Sequence, residues 1–251
     1  MSISVDYVRF ESNYIWIIKK GSESVVIDPG SAAAVKQYYS GNQLSLEAIL
    51  ITHYHSDHIA GLADLIFPSL EVYGPAYEPI HYVTRRVKSE DKIKLLDETF
   101  EVFFVPGHTN GHIAYYTPGH LFCGDLIFSG GCGRVFEGTA KTMYSSIQKC
   151  AQLPKDTKIY GGHEYTVSNL EFARMVEPKN KEIEDYYYEV KAATSSGKPS
   201  LPTTLAKELA INPFLRCDQE VVKKRAEEHE GKELADAAAV FSSLRHWKNR
   251  F

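Results

Sequence analysis

Three of the chain's ten histidines crowd into one short stretch, Thr52-His53-Tyr54-His55-Ser56-Asp57-His58. No other feature restricts the fold as tightly. Imidazole and carboxylate at this density point to metal binding, and together they suit Zn, Fe or Mn. The chemistry then dictates the local backbone. On a helix, His53 and His55 would stand about 200° apart and could not share a site. In extended backbone, residues two apart project to the same side. The preceding run Ala48-Ile-Leu-Ile51 is continuously apolar, as in a buried strand. The segment therefore reads as a strand running into a loop that Asp57 and His58 extend. Four donors exceed what one catalytic metal usually takes from a single segment, so two metals are expected.

Further donors have the same context. His108 lies in Val105-Pro-Gly-His-Thr-Asn-Gly111, His163 in Tyr160-Gly-Gly-His-Glu-Tyr165, and Asp125 in Cys123-Gly-Asp-Leu126. Each is a polar residue just past a strand candidate and beside glycines, which allow close backbone approach. His81, His120, His229 and His246 have no such setting and read as ordinary surface or core residues. His112 alternates with its neighbours as in a strand and reads as structural support. Cys123 reads as a small buried hydrophobe.

Around these positions the first 165 residues alternate strands and helices. Tyr14 to Ile18 and Val25 to Ile27 suggest a hairpin across Gly21-Ser22, which Asp28-Pro-Gly30 stops. Helices are expected over Ser31 to Tyr39, Ala60 to Phe67 and Thr139 to Leu153. Strands are expected at Glu71 to Tyr73, Glu101 to Val105, His112 to Tyr116, Leu121 to Cys123 and Lys158 to Tyr160. That order predicts a layered α/β domain over residues 1–165. Residues 166–251 predict helices instead, over Val167 to Val176, Lys181 to Thr194, Leu205 to Leu209, Asp218 to His229 and Leu234 to Trp247.

Composition narrows the class of function. Hydrophobic residues at 43% and charged residues at 24% exclude disorder as the main state. A formal net charge of -4 argues against a general nucleic-acid binder. Four cysteines without CxxC spacing suit a reducing compartment. The start MSISVDYVRF lacks a secretory pattern, and no apolar run reaches the roughly 18 residues of a membrane span. A cytoplasmic monomer is expected, with no nucleic-acid or membrane partner.

At its donor residues the chain resembles the metallo-β-lactamase superfamily, whose signature is HxHxDH followed by distant His, Asp and His. Within it, the chain is similar to the glyoxalase II family, the hydroxyacylglutathione hydrolases. Supporting motifs are Pro106-Gly-His-Thr109, Gly124-Asp125, Gly130-Gly-Cys-Gly-Arg134 with Glu137-Gly-Thr139, His163-Glu-Tyr-Thr166 and the ending Leu244-Arg-His-Trp-Lys-Asn-Arg-Phe251. The resemblance implies a four-layer αββα metallo-β-lactamase sandwich, with a C-terminal helical domain that binds substrate. It implies two divalent ions, zinc first with iron or manganese as alternatives. His53, His55 and His108 would hold one, and Asp57, His58 and His163 the other. Asp125 would bridge them, and Asp57 and Asp125 would be catalytic. Arg134, Phe136, Tyr165, Arg245 and Lys248 would hold the glutathione portion. Phe136 stands where some members carry a tyrosine.

The implied reaction is hydrolysis of S-D-lactoylglutathione to D-lactate and glutathione, the second step of methylglyoxal detoxification. Two ions lower the pKa of a bound water toward about 7, so a bridging hydroxide can attack the thioester carbonyl. The thiol leaving group, with a pKa near 8.5, departs without prior protonation. A single-iron relative that oxidises glutathione persulfide is the nearest alternative, and the long helical tail argues against it. A lactonase or β-lactamase leaves the C-terminal cations unexplained. A non-catalytic protein on this fold would be expected to lack some of the seven donors.

Overall fold

The computed structural model describes residues 2–251. Two six-stranded sheets lie face to face. The first runs, in spatial order, β1 (Ser4–Phe10), β2 (Asn13–Lys20), β3 (Glu23–Ile27), β4 (Ser45–Leu50), β5 (Glu71–Pro75) and β6 (Arg85–Val87). Its first three strands are antiparallel, and β3 to β6 pair in parallel. Parallel neighbours need a crossover. One is α1 (Ala32–Ser40). The next is made by α2 (Ser56–Ile59) and α3 (Leu62–Leu65).

The second sheet contains β7 (Lys92–Leu95), β8 (Glu98–Phe104), β9 (Ile113–Thr117) and β10 (His120–Gly124) as an antiparallel meander. A small hairpin comes next, β11 (Ile127–Phe128) with β12 (Gly131–Cys132). Helix α4 (Ala140–Cys150) then returns the chain to β13 (Lys158–Gly161), parallel to β10, and β14 (Thr203–Thr204) closes the edge. The remaining helices are α5 (Thr166–Val176), α6 (Lys181–Ser195), α7 (Leu205–Ile211), α8 (Glu220–Glu230) and α9 (Ala237–Asn249).

Side-chain alternation explains the layering. Along β2, Tyr14, Trp16 and Ile18 point between the sheets, where they meet Phe100, Phe122 and Tyr160. Ile15 and Ile17 point the other way, onto Val35 of α1 and Leu62 of α3. A strand covered on both faces reads as one apolar run, as the sequence does here. On the outer face of the second sheet, Leu121, Cys123 and Ile159 share a core with Met143, Phe172, Phe214 and Phe241. The order is helix, sheet, sheet, helix: an αββα sandwich with a C-terminal helical region packed on its second outer face. No helix among the described residues is long and apolar enough to cross a membrane.

Several local features differ from expectation, among them the short strands β6, β7 and β14, which no expected strand covers. The helix expected over Ala60 to Phe67 is two single turns that begin earlier, at Ser56. A Cβ on the intervening Gly61 would lie 2.5 Å from the Pro29 carbonyl oxygen and from the Ala32 nitrogen, so the chain there is pressed against the start of α1. Asp57 and His58 consequently sit on a helical turn rather than in an extended loop. Strand β1 has no counterpart among the expected strands because it is a largely exposed edge strand with no apolar alternation. The hairpin β11–β12 was hidden by its glycines.

Candidate metal centre and its cavity

The donors gather where the strands end. Thr52 to His58 follows β4, His108 follows β8, Asp125 follows β10 and His163 follows β13. His108 Nε2 and His53 Nε2 lie 2.9 and 3.2 Å from His55 Nδ1. On the other side, Asp57 Oδ2 lies 3.7 Å from His58 Nε2 and 3.4 Å from His163 Nε2. Asp125 stands between the groups. Its Oδ2 is 3.4 Å from His108 Nε2 and 3.3 Å from His163 Nε2, and its Oδ1 is 3.3 Å from His58 Nε2. Two glycines make room for it. A Cβ at Gly133 would sit 2.0 Å from the Asp125 carbonyl oxygen, and one at Gly162 would sit 2.5 Å from Asp125 Oδ1.

Two observations test this donor set as a place for metal. His58 Nε2 and Asp125 Oδ1 are buried without a hydrogen-bond partner among the described residues, which is costly unless something else takes their lone pairs. The triads His53/His55/His108 and Asp57/His58/His163 each bring their donor atoms within 4.8 Å of one another. Borderline nitrogen and hard oxygen donors in this ratio fit divalent first-row ions.

Outer residues orient the donors. Asp28 Oδ2 faces His58 Nδ1 at 3.0 Å, and the Asp28 carboxylate also accepts from Thr52 N (2.8 Å) and Thr52 Oγ1 (2.6 Å). His108 Nδ1 pairs with the Arg134 carbonyl at 2.8 Å. Asn13 Nδ2 donates to the Asp57 carbonyl and to Asp57 Oδ2, at 3.0 and 3.1 Å. His112 Nε2 accepts from Asp125 N at 3.2 Å, and its ring stacks on His53 at 4.7 Å. It supports the donors without joining them.

These contacts set the charges. Burial pushes the Asp125 carboxyl up, but His58 and His163 outweigh it and hold the group well below the usual carboxylate range. The His163 hydrogen bond, helped by His58 and Asn13 against partial burial, does the same for Asp57. Burial pushes His53 down, toward the neutral ring that a metal ligand requires.

Asp28 is not among the site residues that the sequence suggests, where it reads only as a strand stop. Its place is visible only in the fold, at the end of β3, whose parallel partner β4 leads straight into the histidines. Glu78 is a second such residue. It is buried, accepts from Thr109 Oγ1 and packs against Gly111, beside His108. Burial pushes its carboxyl up to about 7.

A cavity of about 760 Å³ opens from His108 and Asp125, and its lining includes Arg134, Phe136, Tyr165, Arg245 and Lys248. The structure thus brings all five residues expected at the substrate to one space. Tyr165 stacks on His163 at 4.6 Å, and Phe136 meets the edges of His55 and His108 at 5.6 and 5.2 Å. Arg134 is exposed. Arg245 is buried, at 4% exposure, and its Nη1 donates to the Cys132 carbonyl at 2.9 Å. It forms no ion pair among the described residues. Lys248 is half-buried. Burial first, then Arg245, lower its ammonium to about 8.

Residues 8–163 match the metallo-β-lactamase superfamily, and residues 164–251 match the hydroxyacylglutathione hydrolase C-terminus. A hydroxyacylglutathione hydrolase of Vibrio cholerae is 47% identical over 245 residues, covering 96% of each chain. The chain belongs to the hydroxyacylglutathione hydrolase family. A second family member, from Vibrio campbellii, is 46% identical over 246 residues, again covering 96% of each chain. The family's fold is shared more widely. The crystal structure of ETHE1 from Myxococcus xanthus superposes with a TM-score of 0.65 at 22% identity, covering 99% of this chain and 98% of the other.

Proposed function

We propose that this protein hydrolyses S-(2-hydroxyacyl)glutathione thioesters, chiefly S-D-lactoylglutathione, to the hydroxy acid and glutathione. The observation that carries the reading is one cavity whose lining joins His108 and Asp125 of the donor cluster to cations that form no ion pair among the described residues. His53, His55 and His108 would hold one divalent ion and Asp57, His58 and His163 a second, with Asp125 shared. We assign zinc, with iron and manganese as the alternatives that these donors accept. Bound ions would acidify water and polarise the thioester carbonyl.

The chain's own residues supply the rest. Asp28, Arg134 O and Asn13 keep His58, His108 and Asp57 aimed at the centre. Phe136 and Tyr165 stand beside the donors, against His55, His108 and His163, and offer apolar surface to the acyl end. Glutathione carries two carboxylates, and Arg134, Arg245 and Lys248 line the same cavity as His108 and Asp125. Water gives a proton to solvent and adds to the carbonyl carbon, the carbon–sulfur bond breaks, and the thiolate leaves without prior protonation because its pKa is only about 8.5, taking up a proton from solvent afterwards. Four buried cysteines, all free, suit a reducing compartment such as the cytoplasm.

The test is incubation of metal-replete protein with S-D-lactoylglutathione while thiol and D-lactate are followed. Equal release of both is expected. No release from folded, metal-loaded protein would overturn the proposal.

A further inference from the structure

Glu208 of α7 is fully buried, and both its oxygens are tied to one loop. Oε1 accepts from Ser129 Oγ at 2.8 Å. Oε2 accepts from Gly130 N at 2.8 Å and from Asn212 Nδ2 at 2.9 Å. Asn212 Nδ2 also faces the carbonyls of Phe128 (3.1 Å) and Gly131 (2.9 Å), and Asn169 Nδ2 donates to the Ser129 carbonyl at 3.1 Å. Three buried side chains of the helical region thus hold the backbone of residues 128–131. The loop needs them. Its hairpin has only two residues per strand, too few to be stable alone.

Residues 132–134, immediately beyond this loop, serve the cavity. The Cys132 carbonyl anchors Arg245, the Arg134 carbonyl orients His108, and the Arg134 side chain lines the cavity. Glu208 itself lies outside that lining. We propose that Glu208 is a positioning residue for substrate selection. Through Ser129 and Gly130 it fixes the 128–134 segment, so that Arg134 and Arg245 stand where the carboxylates of the thiol half arrive. This inference rests on the glutathione-thioester reading.

Glu208→Gln keeps the size of the side chain but replaces one acceptor oxygen with a donor amide, against partners that mostly donate. The full-length, metal-replete variant is compared with wild type on two substrates, S-D-lactoylglutathione and the lactoyl thioester of N-acetylcysteamine. The second thiol has no carboxylates. A displaced Arg134 or Arg245 that loses one hydrogen bond to a substrate carboxylate corresponds to about a tenfold fall in kcat/KM. That fall is expected on the glutathione thioester, carried chiefly by KM, and it should clearly exceed any fall on the small thioester in protein that still holds its metal.

Equal losses on both thioesters, or no loss on either, would overturn the role of Glu208. Should that variant fail to fold, Ser129→Ala removes one bond from the loop side. It is expected to give the same split on a smaller scale, and its absence would be equally decisive. A wild-type protein that treats the two thioesters alike would instead overturn the functional reading itself.

Discussion

The two ends of the cavity are built differently. At the metal end, His53, His58, His108 and His163 are buried, and each is flanked by a residue that fixes its ring. At the far end, Arg134 is exposed and Lys248 half-buried. Arg245 is held there by the Cys132 carbonyl and the Asn249 side-chain amide, and Lys248 reaches the Ser168 carbonyl at 3.4 Å; neither meets a carboxylate among the described residues. Rigid donors suit chemistry that tolerates little displacement. A partly exposed rim of cations suits a flexible peptide that carries two carboxylates. Damage to the first end should therefore appear in metal content and kcat, and damage to the second in KM.

The largest effect is expected from Asp125→Ala, which removes the one carboxylate that, among the described residues, reaches all of His58, His108 and His163. Activity should fall by more than roughly 100-fold, the upper range for losing a residue that merely orients a ligand. Metal content should fall with it. Near-normal turnover with full metal would erase the distinction between the two ends.

Asp28→Asn comes next. It keeps the shape but removes the charge facing His58 Nδ1. Metal affinity, read by competition with a chelator, should weaken about 10–100-fold, with KM for the remaining holoprotein little changed. A change confined to KM would place Asp28 in substrate binding instead.

These two aspartates also show what a sequence discloses. Asp125 could be found because it stands beside a glycine at the end of a strand, and the histidines of residues 53–58 because they are neighbours in the chain. Asp28 could not. Its role depends on β3 lying parallel to β4, a pairing between Ile27 and Leu50 that no local pattern encodes. Glu208 is a similar case. On a short helix it reads as an exposed charge, and only the tertiary fold buries it against residues some 80 positions away. The layered fold itself was legible because the strands are apolar runs separated by turns. The burial of Arg245 was not, since a cation near the end of a helix normally reads as a solvated, dipole-matching charge.

A smaller effect is expected at the far end. Lys248→Ala should raise KM for the glutathione thioester up to about tenfold, the lower range for a hydrogen bond to a charged group, because the ammonium is partly solvated. kcat should stay near wild type. An equal fall in kcat would mean that the tail takes part in the reaction step.

The smallest effect is in pH. Burial and Arg245 lower Lys248 to about 8, so the ammonium is charged below that pH and neutral above it. kcat/KM reports the free enzyme and should gain a downward limb as pH rises through about 8. Lys248→Arg, charged throughout, should lack that limb. Superimposable profiles for the two proteins would remove Lys248 from substrate recognition.

Reconstitution of metal-free protein tests the metal end most directly. Zinc is added stepwise, while bound metal per chain and hydrolysis of S-D-lactoylglutathione are measured on the same samples. Seven donors in two triads sharing Asp125 predict that activity climbs until two equivalents are bound and then stays level. Full activity at one equivalent, unchanged by the second, would contradict the two-metal centre.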